Sequence, residues 1–396
     1  MTTVTRQIAV LATCALLSAA AAAADVTVPM SIEGGRPYVD VVLTGADGQK
    51  VKAHAWLDTG GGGMILTQKL ADALGLKPTS GGFKADGDNL ASLPVPDVEL
   101  GGSAVKLTDP NAFVVLSSAT KLQNTDADMG IPVRALRGYD VVFDYPAGRF
   151  SLATSGGKHS GTEVPVHIGD AGMPTVTVQV DGKAYGVLLD TGGTSVMLSQ
   201  DAMQGWIVDH KDWPRLDGAW GRGNMALGKF ESKLYMLDIG QVSWGPFGLE
   251  HVVAVSRPGG IYEKSMTQLT GAPIVGSLGG NVFQYFRMDI DYPKGKLYLT
   301  QAKGVKPAAL DMVGVSLEPA VDGGYAVAQV QGDVGGLAVG DHLSKVGDLD
   351  VSQATLQATL AALSGKPGET RAVTVQRGDK TLTFQAPVQH LLGAKD

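Results

Sequence analysis

The triplet Asp-Thr-Gly occurs twice in this chain, 132 residues apart, and each copy ends the same kind of hydrophobic segment. Asp58-Thr59-Gly60 follows Ala55-Trp56-Leu57, and Asp190-Thr191-Gly192 follows Val187-Leu188-Leu189. A Gly-rich stretch and a second apolar segment come after each triplet. A repeated unit of this kind predicts a structure with two related halves. Two aspartates placed around a pseudo-twofold axis can share one proton and activate a water molecule.

The repetition includes the hairpins on both sides of each triplet. Upstream, two strand-like segments flank a turn containing Asp-Gly, so each triplet is predicted to stand at the end of a β-hairpin. Downstream, Asp-Tyr-Pro-x-Gly followed by a basic residue occurs at residues 144–149 and 291–296, which predicts a second shared hairpin. The upstream strands are predicted at residues 39–43 and 51–57 and, in the second copy, at 176–180 and 184–189.

The composition favours a β-rich fold of more than one domain. Of the 396 residues, 44% are hydrophobic and 18% are charged, so the chain can bury a sizeable interior. Its 54 glycines occur among short alternating segments and turns, which is typical of strands joined by tight turns. One short helix is predicted at residues 67–76, with Gly75 as the signal that stops it. We expect two small β lobes with a cleft between them.

The second copy of the repeat is longer than the first, and the excess is placed at residues 205–229. This region carries Trp206, Trp213 and Trp220 among charged residues. Three tryptophans are equally consistent with an insertion beside a cleft and with a local packing cluster. The sequence does not separate these two interpretations.

The pattern changes after residue 303, where we expect a separate α+β domain. Leucines stand at helical spacing in residues 352–363. Strands are predicted at residues 315–317, 325–330, 373–375 and 382–384.

The first 24 residues have the features of a secretory signal peptide. Arg6 precedes an apolar run at residues 8–24, and small residues surround a predicted cleavage site after Ala24. The only cysteine, Cys14, lies inside this segment, so the mature chain would contain no disulfide. The alternatives are an uncleaved membrane anchor and a lipoprotein acylated at Cys14. We expect an exported protein, either periplasmic or secreted.

Charge and histidine spacing argue against several kinds of ligand. The formal net charge is −7 and there is no basic block, so neither nucleic acid nor an anionic membrane is an expected partner. The seven histidines include no i,i+4 pair and have no cysteine companion, so the sequence predicts no metal site. No Gly-Lys-Ser/Thr follows the glycine run at residues 60–63, which argues against a phosphate loop. We expect no cofactor.

Residues 26–299 resemble the aspartic peptidases, more closely the bacterial retropepsin-like branch than the pepsins. The resemblance rests on the two triplets, their hairpins and the apolar-apolar-Gly element Ile274-Val275-Gly276. It implies a mostly β, bilobal aspartic-peptidase-like fold, with lobe 1 at residues 25–157 and lobe 2 at residues 158–303. Because both units lie in one polypeptide, it favours a monomer with an intrachain active site. A site formed between two chains is the alternative.

The resemblance also implies a role for each triplet residue. Asp58 and Asp190 would be the catalytic pair, in which one carboxylate takes a proton from water and the protonated partner donates to the substrate carbonyl oxygen. The threonines would hydrogen-bond across the lobe junction, and the glycines would leave room for backbone amides beside the carboxylates. These supporting residues are Thr59, Gly60, Thr191 and Gly192.

The chain departs from the family pattern at several positions. Gly61 and Gly193 stand where family members usually carry Ser, Thr or Ala, and Asp128-Met129-Gly130 places a charged residue in the first apolar-apolar-Gly element. No tyrosine lies where a pepsin flap would carry one, and residues 80–83 are the best flap candidate. These departures motivate an alternative function, a catalytically inactive peptide-binding or scaffold protein that retains the peptidase fold.

Residues 304–396 resemble the PDZ domains of bacterial envelope proteases. Residues 312–317 look like the carboxylate-binding loop with its following strand, and residues 336–341 look like the Ala-Gly-Leu-x-x-Gly-Asp turn. The resemblance implies that backbone amides around Val313 and Gly314 hold the C-terminal carboxylate of a peptide, which pairs with the strand from Val315. The alternative is a domain that only packs against the lobes. The preferred hypothesis is an exported aspartic endopeptidase acting on polypeptide substrates.

Overall fold

The structure, a computed structural model, describes residues 25–395 except 86–87, 118–121, 123–124, 155–156, 227–229, 308 and 321–322. The proposed signal peptide with Cys14 lies outside the described residues, as does part of the Trp-containing region. Across the described part of the chain, no helix is both long and apolar enough to cross a membrane.

The first lobe consists of short strands that alternate buried and exposed side chains, as a half-buried sheet requires. The strand order of its main sheet is β6-β7-β10-β5-β11-β4-β3-β8-β9, with β2 paired to β3. The strands are β1 Val26–Pro29, β2 Ser31–Glu33, β3 Arg36–Thr44, β4 Lys50–Asp58, β5 Met64–Thr67, β6 Phe83–Ala85, β7 Asp88–Leu93, β8 Asp97–Leu100, β9 Ser103–Val105, β10 Ala112–Val115, β11 Met129–Pro132, β12 Tyr139–Asp144 and β13 Arg149–Thr154; α1 is Gln68–Ala73, and Val133–Leu136 is a 3-10 turn.

The second lobe repeats this plan. Its sheet has the order β15-β16-β17-β22-β18-β21-β20-β19, and an additional pairing of β16 with β20 closes the sheet into a barrel. The strands are β14 Thr162–Val164, β15 Val166–Ile168, β16 Pro174–Val180, β17 Lys183–Leu189, β18 Val196–Ser199, β19 Arg215–Asp217, β20 Tyr235–Trp244, β21 Phe247–Arg257, β22 Gly276–Leu278, β23 Phe286–Asp291 and β24 Lys296–Gln301. The helices are α2 Gln200–Asp209, α3 Thr267–Thr270 and α4 Gly280–Phe283, with a 3-10 turn at Gly221–Ala226 and a π-helical turn at Ile261–Met266.

A six-stranded sheet of order β1-β13-β12-β23-β24-β14, here called the interlobe sheet, joins the two lobes. The two predicted Asp-Tyr-Pro hairpins, β12–β13 and β23–β24, lie side by side at its centre. One apolar core runs from the first lobe through this sheet into the second. The chain is therefore mostly β and bilobal, as expected for an aspartic-peptidase-like fold.

The C-terminal part of the chain forms a sheet with its own apolar core. The strand order is β25-β31-β30-β28-β27-β26, with β29 paired to β28. Helix α5 begins later than the predicted helix, because Val351–Gln353 forms a 3-10 turn and Thr355 caps the helix by accepting the N–H of Ala358 at 3.1 Å. The elements are β25 Ala309–Val313, β26 Val315–Pro319, β27 Tyr325–Val330, β28 His342–Val346, β29 Leu349–Asp350, α5 Leu356–Leu363, β30 Thr370–Arg377 and β31 Lys380–Gly393.

Helix α2 was not predicted from hydrophobic spacing, although it belongs to the repeat. The Ser199 side chain accepts the N–H of Ala202 at 3.1 Å, and Thr67 caps α1 in the same way through the N–H of Leu70 at 3.2 Å. The two capping residues have the same separation in sequence as the two triplets. Helix α2 could therefore have been predicted from Ser199, a capping residue that occupies the same place in the second repeat as Thr67 does in the first.

The tryptophans of region 205–229 pack against apolar cores, Trp206 and Trp213 at the main core of the two lobes. Trp206 lies edge-on to Tyr185, and Trp213 stacks on His210 with 3.9 Å between ring centroids. Trp220 is fully buried in a separate cluster that includes Leu392 of the C-terminal domain. Of the two interpretations left open by the sequence, the structure supports packing.

Candidate active site

Each triplet follows a strand that is held by a parallel neighbour. Strand β4 ends at Asp58 and pairs with β11, and β17 ends just before Asp190 and pairs with β22. The Asp190 N–H continues the second ladder by donating to Leu278 O at 3.1 Å. The two apolar-apolar-Gly elements of the sequence therefore occupy equivalent places, each alongside the strand that delivers an aspartate.

Asp128, the charged residue in the first of these elements, accepts one hydrogen bond through its side chain that an apolar residue could not accept. Its Oδ2 accepts the N–H of His54 at 3.0 Å, and its carbonyl oxygen accepts the N–H of Thr67 at 3.0 Å. The carboxylate thus satisfies a backbone donor next to β11. The irregular residue does not disrupt the parallel pairing of β11 with β4.

The structure brings the carboxyl groups of Asp58 and Asp190 into hydrogen-bond contact, and both residues are half-buried. Each triplet glycine lies against the aspartate of the opposite lobe. A Cβ atom at Gly60 would stand 2.9 Å from Asp190 Oδ1, and one at Gly192 would stand 2.5 Å from Asp58 Oδ1. Gly60 also donates its N–H to Asp58 Oδ1 at 2.8 Å. Glycine is therefore required at both positions for the carboxyls to meet.

Thr59 and Thr191 form a reciprocal hydrogen-bond network across the lobe junction. The Thr59 N–H donates to Thr191 Oγ1 at 3.0 Å, and the Thr191 N–H donates to Thr59 Oγ1 at 2.9 Å. Each hydroxyl then donates to a carbonyl of the opposite lobe, Thr191 to Leu57 at 2.9 Å and Thr59 to Leu189. Both threonines are fully buried. The two loops are therefore locked to each other rather than to their own lobes.

Burial and mutual repulsion make the carboxyl pair hold a proton. Burial, followed by the charge of Asp190, raises the pKa of Asp58 to about 8. Burial also raises the pKa of Asp190, and Arg36 opposes this increase. Because the groups interact strongly, they titrate as one unit that carries a single proton at neutral pH. One member can then act as a base while the other acts as an acid.

No protein-family model and no curated protein matches the chain. Among solved structures, the chain is similar to the crystal structure of an aspartic proteinase from Irpex lacteus, with 13% sequence identity and a TM-score of 0.42. The alignment covers 71% of this chain and 98% of the other. A similarity at this level identifies neither an activity nor a substrate.

Arg36 and Arg134 support the pair, and sequence reasoning missed both. Arg36 is buried, its Nε donates to Gly192 O of the opposite lobe at 2.7 Å, and its guanidinium lies 4.8 Å from the ring centroid of Trp56. Arg134 donates to Gly62 O at 3.0 Å. Neither contact follows a local sequence pattern, because each joins residues far apart in the chain. The one sequence feature that pointed to Arg36 was its position at the start of β3, the first strand of the hairpin that ends at Asp58.

The flap candidate lies on a hairpin of the first lobe's sheet. Phe83, in the flap candidate, opens the β6–β7 hairpin and is 43% exposed, and its ring lies edge-on to Phe113. Among the described residues, one group of side chains could hold a metal ion, and it is outside the triplet loops. This group consists of Asp140, His159 and Asp291.

Val313, Gly314 and Val315, the predicted peptide-binding residues, are buried where β25 passes into β26. The 3-10 turn Gly221–Ala226 of lobe 2 packs against both β26 and α5. Asn224 Nδ2 in this turn donates to Leu317 O, the kind of contact that an added peptide strand would make. The predicted groove is therefore covered by a segment of the same chain.

A cavity of about 500 Å³ lies next to this contact, between lobe 2 and the C-terminal domain. Ser195 and Asn281 line its lobe 2 side, and Met312 and Leu360 line its C-terminal side. Asp58 and Asp190 do not line it. This cavity is thus separate from the carboxyl pair.

Proposed function

We propose that this protein is an exported aspartic endopeptidase that hydrolyses peptide bonds at the Asp58–Asp190 pair. The observation that carries the proposal is the hydrogen-bond contact between the carboxyls of two half-buried aspartates, one from each half of a repeated unit. Two carboxyls that only capped turns would not need to meet. The reciprocal threonine network explains how the contact is kept in place.

The chemistry follows from the single shared proton. The ionised carboxylate removes a proton from a bound water, and the water oxygen bonds to the scissile carbonyl carbon. The protonated carboxyl donates its proton to the carbonyl oxygen, so no free oxyanion forms. The C–N bond of the gem-diol intermediate then breaks, the amine leaves with the proton of the pair, and one hydroxyl of the intermediate returns a proton to the pair as the carboxylic acid product forms. No metal ion or organic cofactor is needed for any of these steps.

Detection of new peptide ends tests the proposal. Casein and a peptide library are incubated with the purified chain from acidic to neutral pH, and new N-termini are identified by mass spectrometry. We expect internal cleavage by the wild-type chain and none by Asp58→Asn or by Asp190→Asn, each of which keeps the shape of the carboxyl but cannot act as a base. Peptide binding with no new ends would instead support the inactive scaffold hypothesis.

Two further parts of the proposal concern export and the C-terminal domain. Export is supported by the apolar N-terminal segment, and N-terminal sequencing of the mature protein should begin at Asp25. The C-terminal domain is proposed to bind the C-terminus of a substrate or partner peptide at Val313, Gly314 and Val315 by β-augmentation. Because the turn Gly221–Ala226 covers this place, a peptide ligand must displace that turn.

A further inference from the structure

The interlobe sheet carries a second buried cluster of ionisable side chains. Asp140 on β12 and Asp291 on β23 are directly opposite each other in the strand register, and they are 3% and 0% exposed. His159, from the segment that connects the two lobes, approaches both. Its Nε2 is 3.0 Å from Asp291 Oδ2 and 3.9 Å from Asp140 Oδ2. The three ligand atoms that these residues offer lie within 4.8 Å of one another.

The orientation of the His159 ring is fixed from its other side. Its Nδ1 is 3.2 Å from Asp289 Oδ1, and the ring stacks on Tyr298 at 4.5 Å with an interplanar angle of 3°. A histidine that donates Nδ1–H to a carboxylate presents the lone pair of Nε2 on its opposite edge. Here that edge faces the carboxyls of Asp140 and Asp291. A carboxylate behind the histidine is the arrangement found around histidines that ligate metal ions.

Two atoms of the cluster are buried without a hydrogen bond. His159 Nε2 makes none, although Asp291 Oδ2 is only 3.0 Å away. Asp140 Oδ1 also has no partner. A buried polar atom without a partner costs about 1–3 kcal/mol, so two of them in one cluster favour a ligand that bonds to both.

Cationic side chains balance only part of the negative charge. Lys294 Nζ is 3.0 Å from Asp291 Oδ2, and Arg287 Nη1 is 3.4 Å from Asp289 Oδ2. Among the residues that the structure describes, Asp140 forms no ion pair with a lysine or arginine.

We propose that Asp140, His159 and Asp291 bind one divalent transition-metal ion, with Zn²⁺ as the best match. One imidazole nitrogen and two carboxylate oxygens are donors that Zn²⁺ accepts, and Asp289 holds the histidine in the ligating orientation. The ligands come from both lobes and from the segment that connects them. The ion would therefore fasten this connection to the interlobe sheet. The spacing of histidines in the sequence gives no sign of the site, because the ligands are brought together only by strand pairing.

Metal uptake by the intact chain tests the proposal directly. The purified protein is stripped with a chelator, titrated with Zn²⁺ by calorimetry, and loaded with Co²⁺ to record visible absorption from a nitrogen- and oxygen-ligated ion. We expect one equivalent of Zn²⁺ per chain and a higher thermal unfolding midpoint after loading. If the stripped wild-type chain binds no stoichiometric metal, the proposal is overturned.

Three variants locate the bound ion. His159→Gln should lose stoichiometric binding, whereas His251→Gln, which removes another histidine paired to a buried aspartate, should bind like the wild type. Asp289→Asn should keep the stoichiometry and weaken binding roughly 10–100-fold, the usual effect of removing a partner behind a ligating histidine. Equal binding by both histidine variants would place the ion elsewhere and overturn the assignment. If His159→Gln does not fold, the wild-type titration and Asp289→Asn still decide the question.

Lys294→Met provides a further test, because this variant should bind Zn²⁺ more tightly rather than more weakly. The lysine ammonium shares Asp291 Oδ2 with the proposed ion and repels a cation. Its removal should strengthen Zn²⁺ binding severalfold. Weaker binding after this substitution would contradict the placement of the ion at Asp291.

Discussion

The two Asp-Thr-Gly loops have the same sequence over their first four residues but different surroundings. In the second loop, residues 191–196 are all buried, whereas in the first loop residues 60, 61 and 63 are half-buried and residue 62 is exposed. Gly193 O accepts the N–H of Gly280 at 2.9 Å, and Thr194 Oγ1 donates to Arg222 O at 2.9 Å. Gly62 O is held by Arg134 alone among the hydrogen bonds of the described residues. The same four residues therefore begin a buried, hydrogen-bonded loop at Asp190 and a more exposed loop at Asp58.

The greater burial of the second loop is related to its contact with the C-terminal domain. Arg222, which accepts from Thr194, belongs to the 3-10 turn that also packs against β26 and α5. The second loop is therefore connected to the C-terminal domain through one short turn, and the first loop has no such connection among the described residues. We infer that changes in the C-terminal domain affect the Asp190 side of the pair first.

Removing the contact between lobe 2 and the C-terminal domain should have its largest effect on stability. Trp220 is fully buried between lobe 2 and the C-terminal domain, so Trp220→Ala should lower the free energy of unfolding by about 3–5 kcal/mol. Trp56 of the first lobe is only partly buried, and Trp56→Ala should cost clearly less. Urea unfolding of both variants checks this. Equal losses would show that the contact with the C-terminal domain does not distinguish the lobes.

Trp220→Ala should also uncover the predicted peptide groove. Without the indole, the turn Gly221–Ala226 loses its anchor, so a fluorescent peptide with a free C-terminal carboxylate should bind more tightly to this variant than to the wild type. An amidated copy of the peptide is the control. Tighter binding of both peptides would indicate exposed apolar surface rather than carboxylate recognition.

The threonine network should behave symmetrically despite the unequal loops. Thr59→Val and Thr191→Val each remove one hydroxyl that accepts one hydrogen bond and donates another, so each should lower the free energy of unfolding by about 2 kcal/mol. Serine at either position keeps both hydrogen bonds and should restore most of this loss. A large effect at only one position would show that the lobes do not share the network equally.

The raised pKa of Asp58 predicts an unusual dependence of stability on pH. Its folded pKa of about 8 lies above the ordinary aspartate value of about 4, so the folded chain keeps a proton that the unfolded chain has released between these pH values. This group therefore destabilises the fold increasingly as pH rises from about 4 to about 8. Asp58→Asn should remove that decline. The variant should therefore gain more stability over the wild type at pH 8 than at pH 4. Peptide cleavage by the wild type should fall above about pH 8, where the shared proton is lost.

The smallest expected effects concern the glycines that replace the family's Ser, Thr or Ala. A Cβ at Gly61 would stand 2.9 Å from Asp58 Oδ2, so Gly61→Ala must displace the carboxyl and should lower kcat/KM roughly tenfold. A Cβ at Gly193 would meet the flexible end of Met197 at 3.0 Å, so Gly193→Ala should stay closer to the wild type. Steady-state kinetics of the two variants checks the order. The reverse order would mean that burial of the second loop, rather than contact with the carboxyl, limits substitution.

The sequence predicted the parts of the fold that repeat. The hairpin ending at Asp58, its counterpart ending before Asp190 and the two hairpins of the interlobe sheet are all present, because each is specified by local alternation and turn residues. The meeting of the two aspartates followed from the same repetition. Contacts without a repeated or local pattern were not predictable. Arg36 on Gly192, Asn224 on Leu317 and the cluster at His159 depend on how distant strands pack.

The central claim is that Asp58 and Asp190 of one chain act as a single unit in peptide hydrolysis. The most direct measurement is the initial rate of peptide cleavage by the wild type, by Asp58→Asn, by Asp190→Asn, and by an equimolar mixture of the two variants. We predict that only the wild type cleaves, at a rate per chain that does not change on dilution. Cleavage by either single variant would contradict the shared role of the pair, and recovery of activity in the mixture would contradict an active site within one chain.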